Sequence, residues 1–330
     1  MVQNHENLLE CLKDKKIYQL THIDLDGIGC LLLAKYYIEP IALEFDYLIS
    51  NYDFTFIDMK KIENCDIVLY TDISPSKELY DKIKALGKEQ LILDHHMTAY
   101  SNFNGIVDNF YWTDQKCGTK ILFDELMKNK RVNRCIYNIV ELINVYDLWQ
   151  TASALWQSAK SLSNCMFEYA NYSTKDENKK FELFIENQMY KFNNFKTFSF
   201  TNEEKQAILN AEKKERKALE SAKKSLQKRI DGEGNKYIFF ECMTKLSYVA
   251  SALMKEYADQ DIQYYICRSL YAYSRGDLGL SIRSSDGSKI DCSKIAEKFG
   301  GGGHTQASGI DFKTDQILYH QIVSGKKHLL

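Results

Sequence analysis

The chain has 330 residues, of which 45% are hydrophobic, and its 43 Lys and Arg residues nearly balance 45 Asp and Glu residues, for a formal net charge of −2. This length suits two domains, and the hydrophobic share is that of an ordinary globular protein. The near-neutral balance excludes a globally basic surface that would hold a long polyanion, so any nucleic-acid contact is expected to be a local patch.

Cysteine usage and the polar N-terminus predict a reduced, soluble, cytoplasmic protein. The nine cysteines include no C-x-x-C pair and no zinc-knuckle spacing. Residues 1–6 are too polar for a secretory leader, and no apolar run reaches the ~18 residues that a membrane span requires. No association with a membrane is therefore expected.

Strand-like and helical segments alternate in the first half of the chain. The predicted order is a helix at 7–14, a strand at 16–21, a helix at 28–38, a strand at 66–70, a helix at 77–86 and a strand at 90–93. Such alternation predicts an α/β fold in which helices cover both faces of a parallel sheet. We expect this domain to span residues 1–155.

The second half begins with helices and ends in a mixed domain. A helix is predicted at 134–145, mostly helical structure at 152–200, and a capping box at Thr201–Glu204 that opens a helix running to about Ile230. Residues 156–232 are thus predicted as a helical connector. Residues 233–330 are predicted as a smaller mixed α/β domain, with strands at 236–240, 262–267 and 278–283 and helices at 247–257 and 292–299.

Four clusters of acidic residues and histidines follow one another in the first 150 residues. They are His22-Ile23-Asp24-Leu25-Asp26-Gly27, Thr71-Asp72, Asp94-His95-His96 and Tyr146-Asp147-Leu148-Trp149. The first three end strand-like runs and the fourth ends a helix, so their side chains are expected to meet at the carboxyl edge of the sheet. Imidazole and carboxylate ligands suit Mn, Fe or Zn, and several of them together suit a pair of divalent ions.

Each cluster alone has a simpler explanation, since D-x-D-G occurs in many turns and calcium loops, and polar residues often open loops. The combination favours metal-dependent phosphoester hydrolysis.

A glycine run near the C-terminus suggests anion binding. Gly300–Gly303 precede His304, and four successive glycines give a backbone that reaches positive φ and presents N–H groups to a phosphate. Arg283, at the end of a predicted strand, is placed to add a charge-assisted fork to the same phosphate. A flexible loop and an ordinary surface arginine remain the alternatives.

These residues resemble the DHH phosphoesterase superfamily, which is named after the motif seen here as Asp94-His95-His96. Ser281-Ile282-Arg283 and Gly300–His304 look like its associated DHHA1 substrate-binding domain, and the H-x-D-x-D-G form of the first motif is similar to the nanoRNase B branch of short-oligonucleotide ribonucleases. The resemblance covers roughly residues 16–150 and 236–312. It implies a DHH domain and a DHHA1 domain with a cleft between them, and two Mn²⁺ ions, for which Mg²⁺ or Co²⁺ would substitute.

The resemblance also implies residue roles. The metal ligands would be His22, Asp24, Asp26, Asp72, His95 and Asp147, with Asp72 bridging. The catalytic residues would be Asp72, His95 and His96, and the substrate would be held by His96, Arg283, Gly301, Gly302, Gly303 and His304. His22 stands two residues before Asp24, whereas many members space the two by four. This leaves open whether His22 binds metal or only orients Asp24.

The function expected from these features is exonucleolytic release of nucleoside monophosphates from short single-stranded RNA by two-metal hydrolysis. The alternatives are a RecJ-like single-strand DNA exonuclease, a hydrolase of linear or cyclic dinucleotides or of phosphoadenosine phosphate, and a non-catalytic nucleotide-binding protein. Two other activities are not expected. Pyrophosphatases share the N-terminal motifs but lack the glycine-histidine domain, and no G-x-x-x-x-G-K-[ST] loop is present to bind a nucleoside triphosphate. The sequence does not decide between a monomer and a homodimer.

Overall fold

The structure is a computed structural model that describes residues 8–51, 54, 57–107, 109–128, 130–243, 246–270, 273, 278–285, 287–312 and 316–330. The chain divides into two compact units, residues 1–209 and 210–330. Each unit has its own sheet. The domain limits of 1–155, 156–232 and 233–330 that we drew from the sequence stay a prediction.

The first unit alternates strands with helices. Its strands are β1 Lys16–His22, β2 Glu44–Ser50, β3 Ile67–Thr71, β4 Glu89–Asp94 and β5 Phe110–Trp112. Its helices are α1 Leu8–Leu12, α2 Leu25–Tyr37, α3 Met59–Asn64, α4 Lys77–Ala85, α5 Met97–Phe103, α6 Gly118–Leu126, α7 Arg134–Asp147, α8 Trp156–Tyr169, α9 Glu177–Lys180 and α10 Glu182–Asn194. Helix α11, Asn202–Ser225, begins in this unit and ends in the next.

The five strands form a parallel sheet in the order β2-β1-β3-β4-β5. Alternate residues of one strand enter different cores. In β3, Ile67 and Leu69 pack with helices α2, α6 and α7, whereas Val68 and Tyr70 face a second cluster with Ile62 and Ile83. Helices therefore cover both faces, and the predicted α/β fold with a parallel sheet is confirmed.

Two strands of this sheet carry no clear signal in the sequence. Strand β2 mixes exposed and half-buried residues because it forms one edge of the sheet, and β5, at the opposite edge, has only three residues. Edge strands bury one face poorly, so the continuous apolar runs that identify β1, β3 and β4 are missing.

The second unit holds a mixed six-stranded sheet in the order β10-β11-β9-β8-β7-β6. Its strands are β6 Gln227–Ile230, β7 Lys236–Cys242, β8 Tyr264–Ser269, β9 Gly279–Ser284, β10 Gly302–His304 and β11 Ala307–Asp311. Its helices are α12 Leu246–Glu256, a short 3-10 helix Ala258–Gln260, α13 Cys292–Glu297 and α14 Gln316–Val323. The β7–β8 pair is parallel and the other pairs are antiparallel. The predicted mixed α/β architecture is confirmed.

The expectation that the long helix runs to about Ile230 is wrong. Helix α11 ends at Ser225, and Gln227–Ile230 pair with β7 as an antiparallel hairpin strand. In the turn between the two strands, Asp231 Oδ1 accepts hydrogen bonds from the N–H groups of Glu233 and Asn235. Pairing across the sheet therefore overrides helix propensity here.

The predicted capping box is present at the start of α11. Thr201 Oγ1 accepts from Glu204 N at 3.2 Å, and Glu204 Oε2 accepts from Thr201 N at 2.8 Å. Glu204 is also buried against Lys191 of α10, whose ammonium donates to Oε2 while Gln188 donates to Oε1. The first helical turn is thereby fixed to the preceding helix by a buried ion pair.

In the part of the chain that the structure describes, no helix combines the length and the apolar character needed to cross a membrane.

The buried Lys191–Glu204 pair gives a first prediction. Lys191→Met should lower the free energy of unfolding by about 3–5 kcal/mol, because it leaves the Glu204 carboxylate buried without its cation. Lys191→Met combined with Glu204→Gln should recover much of that loss. Urea unfolding followed by circular dichroism measures both. The matched control is Lys180→Met, which removes a more exposed pair with Glu177 and should cost less than about 1 kcal/mol. A Lys191→Met loss no larger than the control would contradict the prediction.

Candidate metal centre

The carboxyl ends of three adjacent strands bring the predicted clusters together. Strand β1 ends at His22, β3 at Thr71 directly before Asp72, and β4 at Asp94 directly before His95. Because these strands are neighbours in a parallel sheet, their carboxyl ends lie at one edge. The structure thus places these side chains where the sequence predicted them.

Asp24 holds the first motif in place through the N-terminus of α2. Its Oδ1 accepts from the N–H groups of Asp26 and Gly27 at 3.0 and 3.1 Å, which leaves Oδ2 3.0 Å from His22 Nδ1. Gly27 is required, since a Cβ there would lie 2.1 Å from the carbonyl oxygen of His22. The Thr21 hydroxyl donates to the Gly27 carbonyl at 2.8 Å and secures the turn from inside the sheet.

Asp72 is the central carboxylate. It is 1% exposed, its φ is 56°, and its N–H donates to the Leu93 carbonyl at 2.9 Å. A left-handed backbone at a residue other than glycine is costly and is found at functional sites. Neither of its carboxylate oxygens accepts a hydrogen bond from the described residues. Oδ2 lies 3.6 Å from His22 Nδ1, and Oδ1 lies 3.3 Å from His95 Nε2.

The Asp94-His95-His96 segment is held by its own aspartate. Asp94 Oδ1 lies 2.7 Å from His95 N, 3.1 Å from His96 N and 2.7 Å from His96 Nδ1. Burial alone would raise the pKa of Asp94, but the two histidines and these hydrogen bonds outweigh it and lower that pKa to about 2. An ionised Asp94 only accepts hydrogen bonds, so His96 Nδ1 must be the donor and Nε2 faces away from Asp94.

Asp26 is held by residues that the sequence analysis did not identify. Its Oδ2 accepts from Gly118 N at 2.6 Å and its Oδ1 from Thr119 N at 2.7 Å, both in the first turn of α6. The Thr119 hydroxyl donates to the Asp26 carbonyl at 2.6 Å. A helix N-terminus favours a carboxylate, so α6 both fixes Asp26 and stabilises its charge.

Asp147 reaches the site from a helix end, as predicted. It is the last residue of α7, and its Oδ2 lies 3.3 Å from His95 Nε2. That oxygen is buried and accepts no hydrogen bond from the residues that the structure describes. All six predicted metal ligands therefore belong to one continuous cluster.

The donor set suits divalent metal ions. Three groups of ligand atoms contain Asp72, namely His22/Asp24/Asp72, Asp26/Asp72/His95 and Asp72/Asp94/His96, and within each group the atoms lie within 4.8 Å of one another. The first two groups consist of predicted metal ligands only. Burial and the neighbouring Asp26 and Asp24 carboxylates raise the pKa of Asp72 well above its ordinary value. Such crowding of buried carboxylates is unfavourable without a cation. Buried, unpartnered carboxylate oxygens facing histidine nitrogens are what a metal site presents.

Arg283 and the glycine run lie in the second unit. Arg283 is on β9, and its guanidinium donates to Ser281 Oγ and to the Ile282 carbonyl. None of the described acidic side chains forms an ion pair with it. The register pairs Arg283 with Ala307 and Ala307 with His304, so the Arg283 and His304 side chains project from one face of this sheet.

Gly302–His304 form the edge strand β10 and not the flexible loop that the sequence left open as an alternative. The glycines permit a close approach of two backbones. A Cβ on Gly301 would lie 2.0 Å from the Gly309 carbonyl oxygen, and one on Gly303, whose φ is 139°, would lie 2.6 Å from that of Ala307. The proposed binding of a phosphate by this segment stays a prediction.

Gly118 provides a test of the site geometry. A Cβ at this position would lie 2.8 Å from the Asp72 Cβ and 3.1 Å from Asp26 Oδ2. Gly118→Ala should therefore displace both carboxylates and weaken Mn²⁺ binding by about 10- to 100-fold, as measured by calorimetric titration. Gly309→Ala is the control, since a Cβ there has no atom within 4 Å. Equal Mn²⁺ affinity in the Gly118 variant and the wild type would show that this contact does not position the ligands.

Comparisons with known proteins agree with this geometry. Residues 16–145 match the sequence model described as DHH family, N-terminal domain. The chain is 26% identical over 312 residues to oligoribonuclease NrnB of Bacillus subtilis, a match that covers 90% of this chain and 73% of that protein. It is 24% identical over 193 residues to a 3′,5′-cyclic-nucleotide phosphodiesterase of Helicobacter pylori, covering 51% of this chain and 54% of that protein.

Solved structures show the same fold. A RecJ from Thermus thermophilus in complex with Mn²⁺ has a TM-score of 0.60 at 13% identity, covering 97% of this chain and 53% of that one. A DHH domain described as a member of a family of ribosomal proteins has a TM-score of 0.66 at 13% identity, covering 96% and 87%. Residues 16–145 thus form a domain similar to the N-terminal domain of the DHH family, with the candidate metal-ligand cluster at the edge of its sheet. The named relatives of the chain are enzymes, an oligoribonuclease and a phosphodiesterase.

Proposed function

We propose that this protein is a Mn²⁺-dependent phosphodiesterase that acts as an exonuclease on short RNA and releases nucleoside monophosphates. The observation that carries the proposal is that two groups of predicted ligands, His22/Asp24/Asp72 and Asp26/Asp72/His95, share the buried Asp72 carboxylate. Hydrolysis of phosphodiesters is among the reactions that two-metal sites catalyse, by stabilising both the attacking and the leaving oxygen.

In this proposal His22, Asp24 and Asp72 hold one ion, and Asp26, Asp72, His95 and Asp147 hold the other. When bound, the two ions would supply Lewis-acid stabilisation of the phosphate oxygens and an attacking water of lowered pKa. The contacts to backbone N–H groups leave Asp24 and Asp26 little freedom to rotate. The protein thus presents the ligands already in place.

His96 is proposed to contact the scissile phosphate. The hydrogen bond between Nδ1 and Asp94 fixes the orientation of the ring, and Nε2 lies on the side away from Asp94. The Trp112 indole N–H donates to the His96 carbonyl at 3.0 Å and supports the same orientation. A protonated His96 would then donate a hydrogen bond to a non-bridging phosphate oxygen and offset the charge that develops there.

The second unit supplies groups suited to a nucleotide. The Arg283 guanidinium donates its hydrogen bonds to serine and backbone oxygens and not to an acid. Arg283 shares a sheet face with His304. A guanidinium without an acidic partner favours binding of a phosphate. We propose that Arg283, His304 and Gly301–Gly303 hold one terminal nucleotide of the substrate.

Two observations favour short RNA as the proposed substrate. The Bacillus subtilis relative, which matches most of this chain, is named an oligoribonuclease. The net charge of −2 also disfavours long nucleic acids, whose binding depends on many basic contacts. A second candidate is hydrolysis of cyclic nucleotides or dinucleotides, which is favoured by the name of the Helicobacter pylori relative.

A time course with end-labelled RNA and DNA, from dinucleotides to strands of about two dozen nucleotides, tests the proposal under Mn²⁺ and under a chelator. Rapid loss of the shortest RNAs, with long strands nearly inert, is the expected result. Affinity for long strands that collapses with added salt would indicate a RecJ-like exonuclease instead. Cleavage of cyclic nucleotides alone would replace the proposal with its second candidate.

His95→Ala and Asp72→Asn are the matched variants for this assay. Both should lower kcat by about 10³-fold or more, because they remove a ligand that the reaction requires throughout. Circular dichroism should show an intact fold. Retained activity in both folded variants would overturn the assignment of the site.

A further inference from the structure

We propose that Trp149 is a stacking platform for a nucleobase of the substrate, next to the scissile phosphate. This inference rests on the proposed function, which it deepens by naming a residue that recognises bases. Trp149 follows the C-terminus of α7, the helix that ends at Asp147 of the candidate metal centre.

Helix α7 ends in a Schellman motif with an unusual residue. Gln150 N donates to the Val145 carbonyl at 3.0 Å and Trp149 N donates to that of Tyr146 at 3.1 Å. Trp149 thus occupies the position after the cap, where its φ is 52°. Glycine is the usual residue there because a side chain is disfavoured at positive φ. A tryptophan at this position therefore opposes folding locally.

The Trp149 side chain is also partly exposed to solvent, which is energetically unfavourable. It is 37% exposed, although tryptophan is among the side chains that gain most from burial. Two unfavourable features at one residue point to a requirement other than stability.

Neighbouring aromatic rings hold the indole in place. Trp156 meets it edge-on with ring centroids 4.9 Å apart, and Tyr146 lies 5.7 Å away. Tyr146 and Trp156 are themselves stacked with an interplanar angle of 14°, and both pack against the core. A ring supported in this way loses little freedom when a base stacks on it, which favours binding.

The position of Trp149 suits a base that is attached to the reacting phosphate. Asp147 Oδ2 lies 3.3 Å from His95 Nε2 inside the cluster, and Trp149 follows Asp147 by two residues. Their Cα atoms are therefore no more than about 7 Å apart. Every nucleobase presents a π face, so this contact would bind nucleotides without selecting a sequence.

The test compares Trp149→Gly and Trp149→Phe with the wild type on a diribonucleotide and on the same dinucleotide with a tetrahydrofuran abasic residue at either position. Trp149→Gly should raise KM for the intact dinucleotide by about tenfold or more, with kcat little changed. Trp149→Phe should stay close to the wild type. With the abasic substrate that lacks the stacked base, the KM of the wild type should be as high as that of Trp149→Gly on the intact dinucleotide. Trp149→Gly should raise KM no further on this abasic substrate.

Two controls exclude a purely structural effect. Trp149→Gly removes the strain of a side chain at positive φ, which stabilises the fold, but it also removes the contact with Trp156, which destabilises it. Because the two effects oppose each other, Tm should stay within a few degrees of the wild type. Tyr190→Ala removes an aromatic side chain that is 62% exposed on α10 and should leave KM unchanged.

Equal KM values for the wild type and Trp149→Gly on the intact dinucleotide would overturn the stacking role and leave the proposed function standing. A wild type that hydrolyses no diester would overturn the function instead. Calorimetric binding of AMP then decides the stacking role. Weaker binding to Trp149→Gly supports it, and equal or absent binding overturns it.

Discussion

The structure of the site depends on one electrostatic constraint, the convergence of several carboxylates on the buried Asp72. In the described part of the chain, no lysine or arginine forms an ion pair with Asp24, Asp26, Asp72 or Asp147. Burial and mutual repulsion raise the pKa of both Asp72 and Asp147 well above their ordinary values. A divalent cation held by these carboxylates would remove this cost, so relief of the repulsion would favour metal binding.

Backbone N–H groups keep these carboxylates in position despite their repulsion. Asp24 accepts two of them at the start of α2, Asp26 accepts two from α6, and Asp94 accepts two from its own segment. Asp72 is the exception, because its position follows from the left-handed backbone and not from hydrogen bonds to its oxygens. Its carboxylate is thus left available to both ligand groups.

Much of this arrangement is predictable from sequence because strands β1, β3 and β4 are buried on both faces and appear as apolar runs. Each run ends directly before a ligand, and parallel strands bring those ends together. Asp147 was also predictable, since the helical spacing of α7 ends at it.

What was not predictable depends on contacts between distant segments. Gly118 and Thr119 hold Asp26 from 92 and 93 residues away, and nothing in the local sequence marks them. The glycine run became a strand because β11 pairs with it, and the end of α11 was shifted by the pairing of β6 with β7. The distances from Asp72 to its neighbours likewise follow only from the assembled sheet edge.

Electron paramagnetic resonance of the Mn²⁺-loaded protein tests whether Asp72 is shared between two metal ions. Two ions bridged by one carboxylate are expected to lie close enough for their spins to couple. We expect the wild type to bind two Mn²⁺ ions with an exchange-coupled spectrum, and we expect Asp72→Asn to give uncoupled or unbound Mn²⁺. A single bound ion in the wild type, or two ions with separate six-line spectra, would contradict it.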